Sequence, residues 1–142
     1  MGEAADVMRR ELRAVNDRDT ATIVASFSPE CIKLVPGARF EGGEQVAAWC
    51  TALCEAFPDF HITVTDVVEE APIATVSGIV TGTHLGTLRT PGGDIPPTGR
   101  RAEFSFSETA EVRDGAMISV HLYFDRLELL EQLGVIPAPA HA

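Results

Sequence analysis

The stretch RAEFSFSETAEVRDGAMISVHLYF, residues 101–124, decides the fold of this chain. Apolar and polar side chains alternate along residues 100–113, which predicts a long strand with one buried face. Asp114-Gly115 is typical of a tight hairpin turn, and residues 116–125 alternate again as a second strand. The stretch therefore predicts a long antiparallel hairpin.

The same strand pattern occurs upstream of this hairpin. Residues 60–88 are rich in β-branched side chains and are interrupted only at residues 69–72, which predicts strands over about 60–69 and 73–86. Residues 90–99 are rich in glycine and proline and predict a long loop. Antiparallel strands therefore fill most of the second half of the chain.

The first half of the chain has helical periodicity instead. The periodicity predicts a helix over 3–16, then a short helix that is capped by Asp19 or Thr20 and runs through Ile23 and Phe27. A strand over 31–35 and a helix over 44–57 follow. At the end of the chain, a closing helix is predicted over 127–133 with Gly134 as its C-cap. Helices followed by a run of antiparallel strands indicate an α+β fold. A long twisted sheet that wraps around helices leaves a cavity at its open end, and a ligand would bind there.

Length, charge and cysteine content exclude several classes of protein. The 142 residues and 15.2 kDa correspond to one domain, which we expect over residues 1–136, with a frayed tail over 137–142. The 11 Lys and Arg against 21 Asp and Glu give a net charge of −10, so we expect no nucleic-acid partner and no membrane partner. The odd number of cysteines implies no disulfide framework. The sequence shows neither a signal peptide nor an apolar run close to the roughly 20 residues that a membrane span needs. We therefore expect a cytoplasmic protein.

Glu108 breaks the pattern of its strand and is the first candidate for chemistry. The inward set is Ala102, Phe104, Phe106, Glu108, Ala110 and Val112, and Glu108 is its only charged member. A buried carboxylate costs several kcal/mol unless it is paired or protonated. An apolar setting raises the pKa of a carboxyl group, which prepares it for acid–base catalysis near neutral pH. The alternative is that Glu108 lies at a bulge or meets water.

Three further residues are second-rank catalytic candidates. In the last strand the apolar set Ile118, Val120, Leu122 and Phe124 should face the helices, which turns His121 and Tyr123 to the convex side, where they would serve a dimer interface. A bulge would reverse this, so His121 and Tyr123 stay candidates. Asp66 alternates in phase with the apolar residues of its strand, so it is a weaker candidate of the same kind as Glu108. For Asp125, which precedes the last helix, we favour a helix cap.

The candidates for substrate binding are mainly aromatic. Trp49, Phe57, Phe104 and Phe106 are first of all core residues, and some of them would also line an apolar pocket. His84 ends a strand before the glycine- and proline-rich loop, either at the cavity mouth or facing solvent. No nucleotide-binding glycine motif or nucleophile elbow occurs, and the four histidines lack metal-ligand spacing, so we expect no cofactor and no metal.

Six short segments occur together in a recognisable order. They are Phe57-Pro58-Asp59-Phe60, Gly82-Thr83-His84-Leu85-Gly86, Pro96-Pro97-Thr98-Gly99-Arg100, Arg113-Asp114-Gly115, Tyr123-Phe124-Asp125 and Gln132-Leu133-Gly134. Together they resemble the SnoaL-like polyketide cyclase family over residues 57–134. Val15-Asn16 and Asp19 add a weaker match in the first half.

The resemblance implies a nuclear-transport-factor-2-like fold, which is a cone of curved antiparallel sheet around three helices with an internal pocket, usually in a dimer. Such cyclases close a ring by a cofactor-free intramolecular aldol reaction, with an Asp base on the last strand and a helper His on the strand before. Counted onto this chain, the base position falls on Leu122 and the helper position on Glu108. The base of ketosteroid isomerase would fall around Val35. Leu122 and Val35 therefore join the candidates for substrate binding. Residues 71–88 carry no charge, which disfavours epoxide hydrolysis.

The sequence therefore leaves three functional hypotheses. The first is a cofactor-independent acid–base enzyme of bacterial secondary metabolism that cyclises, isomerises or dehydrates a polyketide-like, hydrophobic small molecule, with Glu108 as acid or base. The second is a SnoaL-like hydroxylase, and the third is a non-catalytic ligand-binding or dimerisation module. A homodimer is the expected assembly.

Overall fold

The computed structural model describes residues 2–137, which form four helices and eight strands. The helices are α1 (Glu3–Asp17), α2 (Thr20–Ala25), α3 (Gly42–Ala56) and α4 (Arg126–Gln132). The strands are β1 (Phe27–Val35), β2 (Ala38–Glu41), β3 (His61–Glu70), β4 (Ile73–Thr83), β5 (Leu88–Thr90), β6 (Gly93–Ile95), β7 (Arg101–Arg113) and β8 (Ala116–Phe124). Of the predicted tail, residues 138–142 lie outside the described part of the chain.

Six strands form one sheet in the order β2-β1-β8-β7-β4-β3. The predicted hairpin, β7 and β8, lies at its centre, and Glu108 is paired with Leu122 across it. All neighbours are antiparallel except β1 and β8, which run parallel. The sheet and the helices confirm the α+β prediction.

Two of the four helices, α2 and α4, begin at a side chain that satisfies a free backbone amide. Asp19 caps α2, since its carboxylate accepts a hydrogen bond from the Thr22 amide at 3.2 Å. Asp125 caps α4 in the same way through the Glu128 amide at 3.1 Å, as expected. Gly134 follows the C-cap residue of α4 with φ of +72°, a conformation that glycine adopts without strain.

Three segments differ from the sequence prediction. The strand β2 was not predicted. The loop over 90–99 was predicted without strands, but β5 and β6 form a small hairpin around it, in which Leu88 pairs with Ile95 and is buried. The second helix was predicted to run through Phe27, but it ends at Ala25, and Phe27 begins β1. Pro29 disfavours helical backbone at Ser28, and Phe27 pairs with Met117 of β8 instead of continuing the helix.

The core lies between the helices and the concave face of the sheet. The main cluster joins α1, α3 and the inward residues of β4, β7 and β8, and a second cluster around Phe57, Leu88 and Leu133 lies beside α4. Within residues 2–137, no helix is long and apolar enough to cross a membrane.

Candidate active site

A cavity of about 90 Å³ lies between the helices and the concave face of the sheet. Its walls come from α1, α3, the segment after α3, five strands and α4: Glu11, Leu12, Val15, Lys33, Trp49, Cys50, Leu53, Phe57, Phe60, Ile62, Val80, Thr81, Gly82, Ala102, Phe104, Phe106, Glu108, Leu122, Phe124 and Leu129. A single buried water needs roughly 10–15 Å³, so the space exceeds what one water fills. The walls are almost entirely apolar, and the exceptions include three charged side chains.

These three residues, Glu11, Lys33 and Glu108, form what we call the charged cluster. Their relative exposures are 1%, 3% and 3%, whereas other wall residues such as Phe60 and Leu129 are partly exposed. The charged cluster therefore lies in the closed part of the cavity, and the partly exposed apolar side chains lie towards its mouth.

Local periodicity places each member of the charged cluster inside. Glu11 follows Met8 by three residues and precedes Val15 by four, so it lies on the buried stripe of α1. Lys33 alternates with buried Cys31 and Val35 in β1, and Glu108 occupies the inward parity of β7.

Lys33 and Glu108 form a buried ion pair. The distance from Lys33 Nζ to Glu108 Oε1 is 3.2 Å. The ammonium also lies 5.6 Å from the ring centroids of Phe27 and Trp49, where an aromatic face favours a cation. Lys33 is the only lysine of the chain, although lysine is rarely buried. The carboxylate of Glu108 and the two aromatic rings therefore stabilise the buried ammonium.

Glu11 differs from Glu108 in its contact with Lys33. Oε2 of Glu11 and Oε1 of Glu108 are both buried without a hydrogen bond, but only Glu108 lies within ion-pair distance of the ammonium. Burial raises the pKa of Glu11 to about 7; the nearby Lys33 lowers it and Glu108 raises it further. Burial alone would lower the pKa of Lys33, but Glu108 and Glu11 outweigh this and hold it above the ordinary lysine value. Near neutral pH the cluster therefore holds a fixed ammonium–carboxylate pair and one carboxyl group that gains and loses a proton.

Five of the predicted substrate-binding residues line the cavity. They are Trp49, Phe57, Phe104, Phe106 and Leu122. Val35 is buried in the core but is not part of the cavity wall. His84 lies neither at the mouth nor in solvent, because its ring is fully buried against Phe57 and its Nδ1 atom is 3.0 Å from Thr98 Oγ1.

The second-rank catalytic candidates lie away from the cavity. The inward placement of Asp66 was wrong, because a bulge between Val64 and Asp66 shifts the alternation and exposes the carboxylate on the convex face. His121 and Tyr123 also face the convex side, where Tyr123 Oη is 2.7 Å from His121 Nδ1 and Tyr123 is 53% exposed. None of these three residues lines the cavity, and their catalytic role stays a prediction.

Sequence reasoning missed Glu11 and Lys33, although both had a signal. The apolar spacing of the first helix includes the position of Glu11, and the alternation from Cys31 to Val35 includes Lys33. A charged residue inside an apolar periodicity is the same signal that identified Glu108.

The described part of the chain contains no cluster of three or more His, Cys, Asp or Glu side chains placed to hold a metal ion. Two cysteines lie near the charged cluster. Burial raises the pKa of Cys31 to about 11 and that of Cys50 to about 12, so both thiols stay protonated near neutral pH.

Comparison with known proteins agrees with this architecture. A family model described as SnoaL-like polyketide cyclase matches residues 5–133. Among solved structures, the chain is similar to TsrD from Streptomyces laurentii (25% identity, 94% of this chain and 96% of that chain, TM-score 0.80). It is also similar to IdmH, a candidate polyketide cyclase from Streptomyces antibioticus (24%, 94% and 99%, TM-score 0.78). AclR, a candidate hydroxylase from Streptomyces galilaeus, matches as well (23%, 97% and 85%, TM-score 0.80). A search of curated proteins found no match.

Proposed function

Because this chain belongs to the SnoaL-like polyketide cyclase family, we propose that it is a cofactor-independent acid–base enzyme that cyclises, isomerises or dehydrates an apolar, oxygenated small molecule. The observation that carries this proposal is the charged cluster, which lies in the wall of an otherwise apolar cavity. The expected setting is bacterial secondary metabolism.

The charged cluster is difficult to explain by stability alone. Replacing a buried ion pair by apolar side chains of similar volume is often neutral or stabilising by about 1–4 kcal/mol. Here a third ionisable group, Glu11, is added without a hydrogen-bond partner of its own. Groups with perturbed pKa values that meet in a cavity are candidates for catalysis.

The cavity walls favour a polyketide-like substrate. Apolar and aromatic side chains such as Phe57, Phe104 and Phe124 form most of the surface, and the charged cluster supplies the few polar contacts that orient a ligand. A substrate would present a carbonyl or hydroxyl group to the cluster and its carbon skeleton to the apolar walls.

Leu122 separates this site from the usual family arrangement. It occupies the position expected for the aldol base, and Glu108 occupies that of the helper histidine. The two are register partners on β8 and β7 and both line the cavity. An acid–base reaction in this chain would therefore use a carboxyl group of the charged cluster in place of an aspartate on the last strand.

The experiment compares wild type, Glu108→Gln and the control Glu103→Gln with a panel of polyketides, steroids and terpenoids. Glu103 lies on the same strand with its side chain 59% exposed. A compound at 100 times its Kd stabilises the protein by about 2.7 kcal/mol, which raises Tm. Each compound that binds is then incubated and analysed by mass spectrometry for a product of equal mass or of mass reduced by one water.

We expect a compound that binds wild type and Glu103→Gln, is converted by both, and loses conversion or binding in Glu108→Gln at neutral pH. A product that gains an oxygen atom only in air would instead support the hydroxylase hypothesis. Binding that is unchanged in Glu108→Gln, with no conversion of any bound compound, would support a ligand-binding module and contradict the proposal.

We also propose that the protein is a cytoplasmic homodimer of one domain over residues 1–136. The convex face offers the stacked pair of His121 and Tyr123 for this contact, with ring centroids 3.9 Å apart. Light scattering should give twice the chain mass of 15.2 kDa, and a monomer at micromolar concentration would contradict it.

A further inference from the structure

We propose that Glu11 is the residue that transfers the proton, and that Lys33, fixed by Glu108, stabilises the oxyanion formed from an enolisable carbonyl substrate. This assignment rests on the proposed function and names its substrate class: ketones or esters with a hydrogen on the carbon next to the carbonyl. In this assignment Glu11 carries the proton that is transferred, and Lys33 carries a positive charge that stays in place.

The contacts within the charged cluster separate these roles. Glu108 Oε1 is 3.2 Å from the Lys33 ammonium, so this carboxylate is already engaged by a full positive charge. Oε2 of Glu11 and Oε1 of Glu108 both lack a hydrogen bond, but Glu11 also has no ion-pair partner among the described residues, although it is buried in the cavity wall. An unpartnered buried oxygen is costly unless a ligand or water satisfies it. Glu11 is therefore the carboxyl group available to a substrate.

The ionisation of the cluster agrees with the contacts. The groups that face Glu11 are Lys33 from β1, Glu108 from β7 and the protonated Cys50 from α3. Burial places the pKa of Glu11 near 7, so at neutral pH it is present both as carboxylate and as acid. A group with a pKa near the working pH is the most effective general acid–base catalyst.

Lys33 serves as a charge and not as a nucleophile. The neighbouring carboxylates hold its pKa above the ordinary lysine value, so its nitrogen keeps all three protons and lacks the lone pair that a Schiff base requires. A fixed ammonium in a dry site stabilises a negative oxygen without rearrangement during the reaction.

The step is balanced within the substrate and Glu11. The Glu11 carboxylate takes a proton from the carbon next to the carbonyl, the C–H electron pair becomes a C=C bond, and the carbonyl π pair moves to oxygen, which becomes an enolate beside Lys33. In an isomerisation, protonated Glu11 returns the proton to another carbon. In a cyclisation, the enolate carbon forms a C–C bond with a second carbonyl of the same molecule, and Glu11 protonates the new alkoxide. No further reactant is consumed.

The first test observes Glu11 directly. Protein labelled with carbon-13 at the glutamate carboxyl groups is titrated by NMR in wild type, Glu11→Gln, Glu108→Gln and the control Glu103→Gln. We expect one carboxyl signal to titrate near pH 7 in wild type and the control, to disappear in Glu11→Gln, and to titrate at lower pH in Glu108→Gln, because Lys33 then has only Glu11 as its partner. A signal near pH 7 that survives in Glu11→Gln overturns the assignment.

The second test observes the oxyanion site with 2-naphthol, an apolar phenol whose neutral and ionised forms absorb at different wavelengths. Naphtholate resembles an enolate, so wild type should shift the absorbance of the bound probe towards the ionised form. Glu108→Gln and Lys33→Arg keep a cation and should retain this shift. The double variant Lys33→Met/Glu108→Gln lacks the cation without leaving Glu108 unpaired. In this variant the ratio of ionised to neutral bound 2-naphthol should be at least tenfold lower than in wild type.

The two proposals can fail separately. Equal ionisation of 2-naphthol in Glu108→Gln and in the double variant overturns the role of Lys33, whether or not any compound is converted. Conversely, the expected NMR and naphthol results support the assignment of residues even when no compound of the panel reacts, and the failure is then that of the proposed function. Where a compound is converted, Glu11→Gln should lower kcat by 10²–10⁴-fold. Glu108→Gln should lower conversion at neutral pH and move the pH profile to lower pH, because Glu11 then pairs with Lys33 and becomes a weaker base.

Discussion

Removing the charge of Lys33 should destabilise the fold more than removing the charge of its partner Glu108. The reason is the third member of the cluster. In Glu108→Gln, the buried ammonium can still be balanced because Glu11 ionises beside it. In Lys33→Met, two carboxyl groups remain in the cavity wall with no buried cation, and each must bind a proton or stay unpaired.

The magnitudes follow from burial and pairing. Breaking a buried pair so that one charge is left alone costs about 3–5 kcal/mol, which we expect for Lys33→Met at pH 8. Glu108→Gln should cost about 1–3 kcal/mol, since it loses a charge-assisted contact but leaves one cation with one anion. Lys33→Met/Glu108→Gln removes both partners and should lie within about 1 kcal/mol of wild type, or above it. The single changes are thus strongly non-additive.

Urea unfolding measures these differences. With a slope of about 2 kcal/mol per M, a loss of about 4 kcal/mol lowers the midpoint by about 2 M. Circular dichroism is the better probe, because the only tryptophan, Trp49, lies beside Lys33 and its emission would respond to the substitution itself. Arg101→Met is the matched control: Arg101 pairs with Glu103 at the surface, so its loss should cost at most about 1 kcal/mol. Equal costs for Lys33→Met and Glu108→Gln, or additive costs in the double variant, would refute the reasoning.

Three further predictions concern pH and one structural contact. The pKa of Glu11 rises from 4.5 to about 7 on folding, so the folded state holds an extra proton in this window. The contribution of Glu11 to stability should therefore be fully present below pH 4.5 and be lost, by about 3 kcal/mol, as the pH rises through 7, and Glu11→Gln should abolish this slope in urea titrations at several pH values. Burial lowers the pKa of His84 below 6.5, so its contribution to stability has the opposite sign and is lost as the pH falls through 6.5. His84→Gln should therefore reduce the loss of Tm in acid. An equal loss of Tm in both proteins would contradict this prediction. Asn16 joins α1 to β3 by two hydrogen bonds of 2.8 Å to the backbone of Ile62, and Asn16→Ala should cost about 1–3 kcal/mol in urea unfolding, whereas an unchanged midpoint would show that water replaces both bonds.

The sequence predicts the architecture and one third of the charged cluster. Alternation in the long hairpin was sufficient to place Glu108 inside, because a 13-residue strand leaves little doubt about its faces. The short segment over 31–35 establishes a face only weakly, so Lys33 was not recognised. Glu11 does not stand out because the apolar residues alone define the buried stripe of the first helix.

The remaining differences depend on contacts that local patterns do not contain. The bulge that exposes Asp66 is a shift in pairing with β4, and only the partner strand reveals it. The burial of His84 depends on Thr98 and Phe57, which are 14 and 27 residues away along the chain. Tertiary partners therefore decide which of the unusual residues reach the cavity.

The parallel pairing of β1 with β8 has a consequence for protein synthesis. Leu34 and His121 are register partners, so β1 can join the sheet only after nearly ninety further residues have been translated. Closing so long a loop costs entropy that is recovered only when the last strand arrives. On the ribosome, the amine of Lys33 therefore has neither its partner Glu108 nor the neighbouring strand β8 until β7 and β8 have emerged. The nascent chain acquires its buried charges in the last stage of its production, and acetylation of Lys33 before that stage would remove the cation that the finished protein encloses.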